Sequence, residues 1–101
     1  MTSAVLEDGM RPIHPGEILK DEIEALNLSL AAFARLLKVP HNRISELVRG
    51  QRALSADTAL RLARLLGTSA DFWLDLQKDY DLKIARAKAG DTLADITPLA
   101  A

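Results

Sequence analysis

Leu30-Ala-Ala-Phe-Ala-Arg-Leu-Leu-Lys-Val-Pro-His-Asn-Arg-Ile-Ser-Glu-Leu-Val-Arg-Gly-Gln-Arg52 reads as two short helices joined by a tight turn, the second carrying polar and basic side chains. Phe33, Ala34 and Leu37 recur at helical spacing, Val39-Pro40 interrupts, and Ile44, Leu47 and Val48 resume the same period. Two apolar stripes at that separation face one core. The residue before a proline is pushed out of the helical region, so Val39 closes the connection, and Pro40 opens the next helix where its missing N–H costs nothing. Gly50 suits the left-handed residue just past a helix end. The spacing predicts a helix-turn-helix with its second helix from about His41 to Val48.

Upstream, Pro15-Gly16-Glu17 is a helix entry, with Glu17 near the positive end of the macrodipole and His14 as a structural or capping residue. Leu19, Ile23 and Leu26 follow at helical spacing with Ile18 widening the stripe, so a first helix runs to about Leu26 and Asn27 ends it. Ser29 is the expected N-cap of the second helix, whose buried side is Leu30, Phe33, Ala34 and Leu37. Downstream, Ser55 caps a fourth helix with Asp57 in its first turn and Ala59, Leu62, Ala63 and Leu66 inward, and Gly67 closes it. Ser69 and Asp71 repeat that chemistry for a fifth helix carrying Phe72, Trp73, Leu76 and Tyr80, with the pattern continuing through Leu82, Ile84 and Ala85 toward Ala89-Gly90. Residues 1–14 are expected to be a flexible N-terminal arm, residues 15–86 one domain, and the Ala-, Thr- and Pro-rich residues 87–101 a mobile tail. Neither a strand nor a repeat is evident.

Composition narrows the function. The 101 residues, 49% hydrophobic and 27% charged, suit one small domain with a modest core. Without cysteine there are neither disulfides nor thiolate metal sites, and two histidines far apart are poor material for any other metal site, so no metal or cofactor is expected. A reducing cytoplasm fits. No apolar run is long enough to span a membrane, and Met1 to Gly9 lacks the basic start and apolar stretch of a signal peptide. The paired carboxylates Glu17/Asp21 and Asp75/Asp79 are ordinary on exposed helix faces, and with no nucleophile nearby no catalysis is expected.

The formal net charge of -1 conceals a division along the chain. Residues 1–34 hold two basic against six acidic residues, a net of -4; residues 65–101 hold four against six, a net of -2. Between them, residues 35–64 carry seven arginines and lysines against only Glu46 and Asp57, a net of +5. A charge run alone usually marks a solvated face. This one coincides with the helix-turn-helix pattern, which points to DNA.

In that geometry the recognition helix enters the major groove with its N-terminal residues toward base edges, while the preceding helix crosses the backbone. His41, Asn42 and Arg43 are therefore the first candidates, Asn being suited to adenine and Arg to guanine. Ser45 and Glu46 are expected a turn later on the outer side, Glu46 accepting from cytosine or rejecting phosphate. Ser29, Lys38, Arg49, Gln51 and Arg52 are placed for phosphate, which contributes affinity with little sequence information. Arg35, Arg61 and Arg64 read as ordinary surface arginines. The stripe Trp73, Leu76 and Tyr80 is core against the first helix, with part of Phe72, Leu74 and the Leu82–Ile84 region left for a dimer surface. A two-fold homodimer on a palindromic operator, with half-sites roughly 34 Å apart, follows from the small reach of one recognition helix.

These residues resemble the helix-turn-helix family of phage Cro and cI repressors, and within it the HigA-type antitoxins. The likeness covers about residues 12–85. It lies in the entry His14-Pro15-Gly16-Glu17-Ile18-Leu19, the reading unit itself, Ile44-Ser45-Glu46-Leu47-Val48-Arg49-Gly50-Gln51-Arg52, and Leu66-Gly67-Thr68-Ser69-Ala70-Asp71-Phe72-Trp73-Leu74-Asp75-Leu76-Gln77 followed by Tyr80-Asp81-Leu82. The resemblance implies an all-α, five-helix, lambda-repressor-like DNA-binding domain. It further implies a protein that represses its own toxin–antitoxin operon and neutralises a HigB-type mRNA-cleaving toxin. A free-standing regulator of the same fold and a protein-interaction module that no longer binds DNA are the alternatives. The chain departs from the family at two positions: Lys38 stands in the turn where glycine is usual, and Leu30 stands where a polar, phosphate-binding residue, commonly glutamine, begins the second helix.

Overall fold

The computed structural model describes residues 11–100, and helices account for most of them. In chain order they are α1 (Pro15–Ala25), α2 (Leu30–Leu37), α3 (His41–Val48), α4 (Ala56–Leu66) and α5 (Ala70–Ala89), followed by a 3₁₀ helix at Gly90–Asp95. There is no strand among the described residues. The arm expected over residues 1–14 lies largely outside the description.

Each helix starts where local chemistry favours it. The Ser29, Ser55 and Ser69 hydroxyls accept from the N–H groups of Ala32, Thr58 and Phe72, satisfying donors that a helix leaves orphaned in its first turn. His14 does the same for α1, its ring nitrogen Nδ1 accepting from Gly16 N–H at 2.9 Å. Only α3 lacks a side-chain cap among these five, because Pro40 occupies its N-cap position rather than its first helical position. Gly67 ends α4 in the left-handed region at φ 77°.

The apolar faces meet in one core of Leu19, Ile23, Phe33, Ala34, Leu37, Ile44, Leu47, Leu54, Ala59, Leu62 and Trp73. Helix α2 packs on α3 and α4, α1 on α3 and α5, and α4 on α5, so the core joins all five helices. Trp73 is the largest buried side chain, and its indole N–H donates to Thr68 Oγ1 at 2.9 Å, which lets a polar atom enter without an unpaired donor.

Two details differ from the expected pattern. Helix α1 stops at Ala25 and Leu26 is its C-cap, so Leu26 leaves the stripe and is exposed; Asn27 then turns the chain at φ 58°, and Leu28 packs against the core instead. Helix α5 runs to Ala89, where its sequence pattern points, but residues 90–95 continue as 3₁₀ helix, so secondary structure passes residue 86, the expected domain edge, and reaches Asp95 in the segment expected as a tail.

Candidate nucleic-acid interface

Helix α3, the expected recognition helix, has two distinct faces: Ile44 and Leu47 are fully buried while His41 and Asn42 stand exposed at its amino end. Its rear is seated at backbone level. A Cβ placed on Gly16 would lie 1.8 Å from the Leu47 carbonyl oxygen, so only glycine lets α1 approach the end of α3 this closely. The entry motif His14-Pro15-Gly16 is thus a docking joint. His14 is buried, meets the Tyr80 ring of α5 edge-on at 4.9 Å, and lies against Gly50, which holds φ 73° just past α3. Burial pushes the His14 imidazole below its ordinary pKa, opposed by a hydrogen bond with the Arg52 backbone and by the charges of Asp81 and Glu17.

The loop leaving α3 is fastened to α5 by Gln77. Its Oε1 accepts from the buried Leu54 N–H at 2.7 Å, and its Nε2 donates to Asp81 Oδ1 at 2.8 Å. In the sequence Gln77 stands out only as part of a motif, because its neighbours in the stripe are apolar. A polar residue one position after Leu76, on the core side of an amphipathic helix, was the available signal.

On the front, the turn between α2 and α3 places Lys38 in the left-handed region, φ 60° and ψ 45°. A residue with a Cβ pays there what the glycine usual in the family would not. Arg61, expected to be an ordinary surface arginine, instead braces this turn: its Nη1 donates to the Leu37 and Lys38 carbonyl oxygens at 2.9 and 3.3 Å. Its Nε donates to Asp57 Oδ2 at 2.9 Å, and the same oxygen accepts from Arg43 Nη1 at 2.6 Å. The two guanidiniums hold the Asp57 carboxyl below the usual carboxylate range, the hydrogen bond from Arg43 weighing most. The i,i+4 spacing of Asp57 and Arg61 was legible; their meeting with Arg43 was not, since α4 begins a loop away.

The remaining predicted residues divide. Ser45 is buried, and its hydroxyl donates to the Asn42 carbonyl at 3.3 Å. Its burial leaves no open edge for a base, against the expectation that Ser45 lies on the outer side, because the packing around α3 covers this flank as well as the Ile44–Leu47 face. Glu46 is half-buried and paired with Arg52, whose Nε and Nη2 both donate to Glu46 Oε1 at 3.0 and 2.7 Å. Arg49 and Gln51 are exposed and linked at 3.3 Å. Ser29 is exposed at the start of α2 but spends its acceptor on the cap. Leu30 is half-buried and packs against the core, which accounts for an apolar residue at that position.

On α5, Trp73 is core and Leu76 and Tyr80 are half-buried, whereas Phe72 is 45% exposed. Leu36, Leu60 and Leu65 form a second exposed apolar group along α2 and α4, beside Arg61 and Arg64. Among the described residues no cluster of His, Asp or Glu could hold a metal ion, and no helix is long and apolar enough to cross a membrane.

Comparison with known proteins places this arrangement. A family model described as helix-turn-helix matches residues 19–73. Virulence-associated protein I of Dichelobacter nodosus is 52% identical over 77 residues, 75% of this chain and 71% of the relative. The solved structure of an addiction module antidote protein of the HigA family from Coxiella burnetii superimposes with a TM-score of 0.86 at 47% identity, covering 88% of this chain and 99% of that one. Pseudomonas aeruginosa antitoxin HigA, solved with the higBA promoter, gives 0.84 at 49% identity over 88% and 99%. The chain belongs to the Cro/cI-type helix-turn-helix family, and within it to the HigA-type antitoxins.

Proposed function

We propose that this protein is a sequence-specific DNA-binding antitoxin that represses its own operon and neutralises a HigB-type mRNA-cleaving toxin. The observation that carries the DNA half is the amino end of α3, where His41 and Asn42 are exposed and Arg43 adjoins them, inside the one basic segment of a nearly neutral chain. Asn42 and Arg43 read base edges, adenine and guanine being their natural partners, and His41 and Glu46 border them. Lys38, Arg49, Gln51 and Arg52, with Ser29 and the amide groups that follow it, contact phosphates. The resolved relative bound to the higBA promoter supports the same use of the fold.

A homodimer working in the cytoplasm completes this reading. The exposed Phe72 and Leu82 on α5, at 45% and 42% exposure, and the Leu36, Leu60 and Leu65 group offer apolar surface for a second copy. The test is binding to a duplex from directly upstream of the protein's own reading frame at two salt concentrations. Specific binding that weakens steeply with salt is expected; salt-insensitive or sequence-blind binding overturns the DNA half. Sedimentation showing only monomer at micromolar concentration, with and without that duplex, removes the dimer. Co-expression with a small basic protein encoded beside it tests the toxin half, and the absence of any such neighbour leaves a free-standing regulator.

A further inference from the structure

Asp57 is the unexpected member of the front face. It sits in the first turn of α4, yet its Oδ2 atom accepts from Arg43 at 2.6 Å and from Arg61 at 2.9 Å, while Arg61 reaches on to the carbonyls of Leu37 and Lys38. One carboxylate therefore ties the turn, α4 and the recognition helix into a single line of contacts. The Arg43 side chain is 28% exposed and the Asp57 side chain 55%, so the pair stands at the edge of the face that meets DNA.

Two consequences follow from elementary chemistry. A guanidinium has five N–H donors, and the bond to Asp57 engages Nη1, leaving the Nη2 and Nε sides for a guanine edge. An arginine already held in one orientation loses less conformational freedom when it docks than one that swings free. The carboxylate also carries a negative charge toward any phosphate that approaches Arg43, so contacts with the backbone in a wrong register are opposed. Lost affinity for DNA in general and gained discrimination between sequences come from the same group.

We propose that Asp57 is a specificity-determining positioning residue, which holds the Arg43 guanidinium toward a guanine edge and away from phosphate. This rests on the reading of Arg43 as a base contact. Arg61 secures the arrangement from behind by anchoring Asp57 to the turn.

The test compares the full chain with R43A, D57A, D57N and the double variant D57A/R43A, each titrated against the upstream duplex and a scrambled duplex of equal length. R43A is expected to weaken binding to the upstream duplex by about tenfold or more. D57A should weaken it by roughly threefold to tenfold while binding to the scrambled duplex stays level or tightens, a pattern that general loss of structure does not produce. D57N keeps an acceptor for Arg43 without the charge, so it should recover part of the discrimination. In the R43A background, D57A should change discrimination no further. If D57A weakens both duplexes by one factor, or reduces discrimination as much without Arg43 as with it, the proposal is wrong while the role of Arg43 stands. If R43A leaves discrimination at its starting level, both fall together.

Discussion

The two sides of helix α3 are held by different physics. Its rear is close-packed at backbone level, through the glycine contact of α1, the buried His14 against Tyr80, and Gln77 reaching the loop beyond. Its front is held by charges at partial exposure, through Arg43, Asp57, Arg61 and the Glu46–Arg52 pair. Packing of the first kind is insensitive to salt and intolerant of an added methyl group. Charge contacts of the second kind are weak in free energy and screened by salt, and they leave part of each guanidinium free to donate elsewhere. A rigid seat behind and donors held at partial exposure in front is the division that the proposed reading of DNA calls for.

The sharpest way to break this contrast is Gly16→Ala. The new Cβ meets a backbone carbonyl that cannot rotate away, so a loss of about 3 kcal/mol is expected, read as the shift of a urea or thermal midpoint. A loss under about 0.5 kcal/mol would mean that α1 slides freely over α3. Next in size, Gln77→Ala strands the buried Leu54 N–H and should cost about 2 kcal/mol. A double variant with Leu54→Pro, which removes that donor, should show less than the sum.

The rear also carries a pH dependence. Burial keeps the folded-state pKa of His14 below its ordinary value of 6.5, so the unfolded chain takes up the proton first. Stability is therefore full above that value and declines as the pH falls through it, because burial penalises the charged ring, and a proton at Nδ1 would also remove the acceptor for Gly16 N–H. Thermal midpoints measured between neutral and mildly acid pH should fall for the native chain and hold for His14→Asn, which keeps a cap and does not titrate. At lower pH a second decline follows as Glu17 and Asp57, both held below the usual carboxylate range by arginine partners, take up protons.

The smallest effect sharpens the front. Lys38→Gly removes the strain of a left-handed lysine and should raise stability by about 0.5–1 kcal/mol. If Lys38 contacts a phosphate, the same variant should bind the upstream duplex more weakly and lower the salt slope by about one. A variant that gains stability and loses affinity would separate the two sides of α3 in a single protein.

The helices and their starts were legible because they depend on local chemistry. Serines at 29, 55 and 69 announce helix starts, and the apolar period from Phe33 to Leu47 announces two faces meeting one core. Contacts between distant residues were not legible. Nothing local marks Arg61 as a brace for Lys38, which lies 23 positions away, or Gln77 as the partner of Leu54. The burial of Ser45 is not legible either, because a serine between Ile44 and Glu46 looks polar and outward in sequence while tertiary packing covers it. Leu26 was misplaced because periodicity does not say where Asn27 turns the chain.

The missing cap on α3 has its own consequence. With eight residues and no side chain at its start, this helix falls well short of the length at which helices persist alone in water. Its amides are therefore sheltered only while the surrounding domain is intact, and in hydrogen exchange those of Leu47 and Val48 should open with the whole molecule rather than by fraying. The helix proposed to meet DNA has no independent existence, so whatever unfolds this protein would also erase that surface.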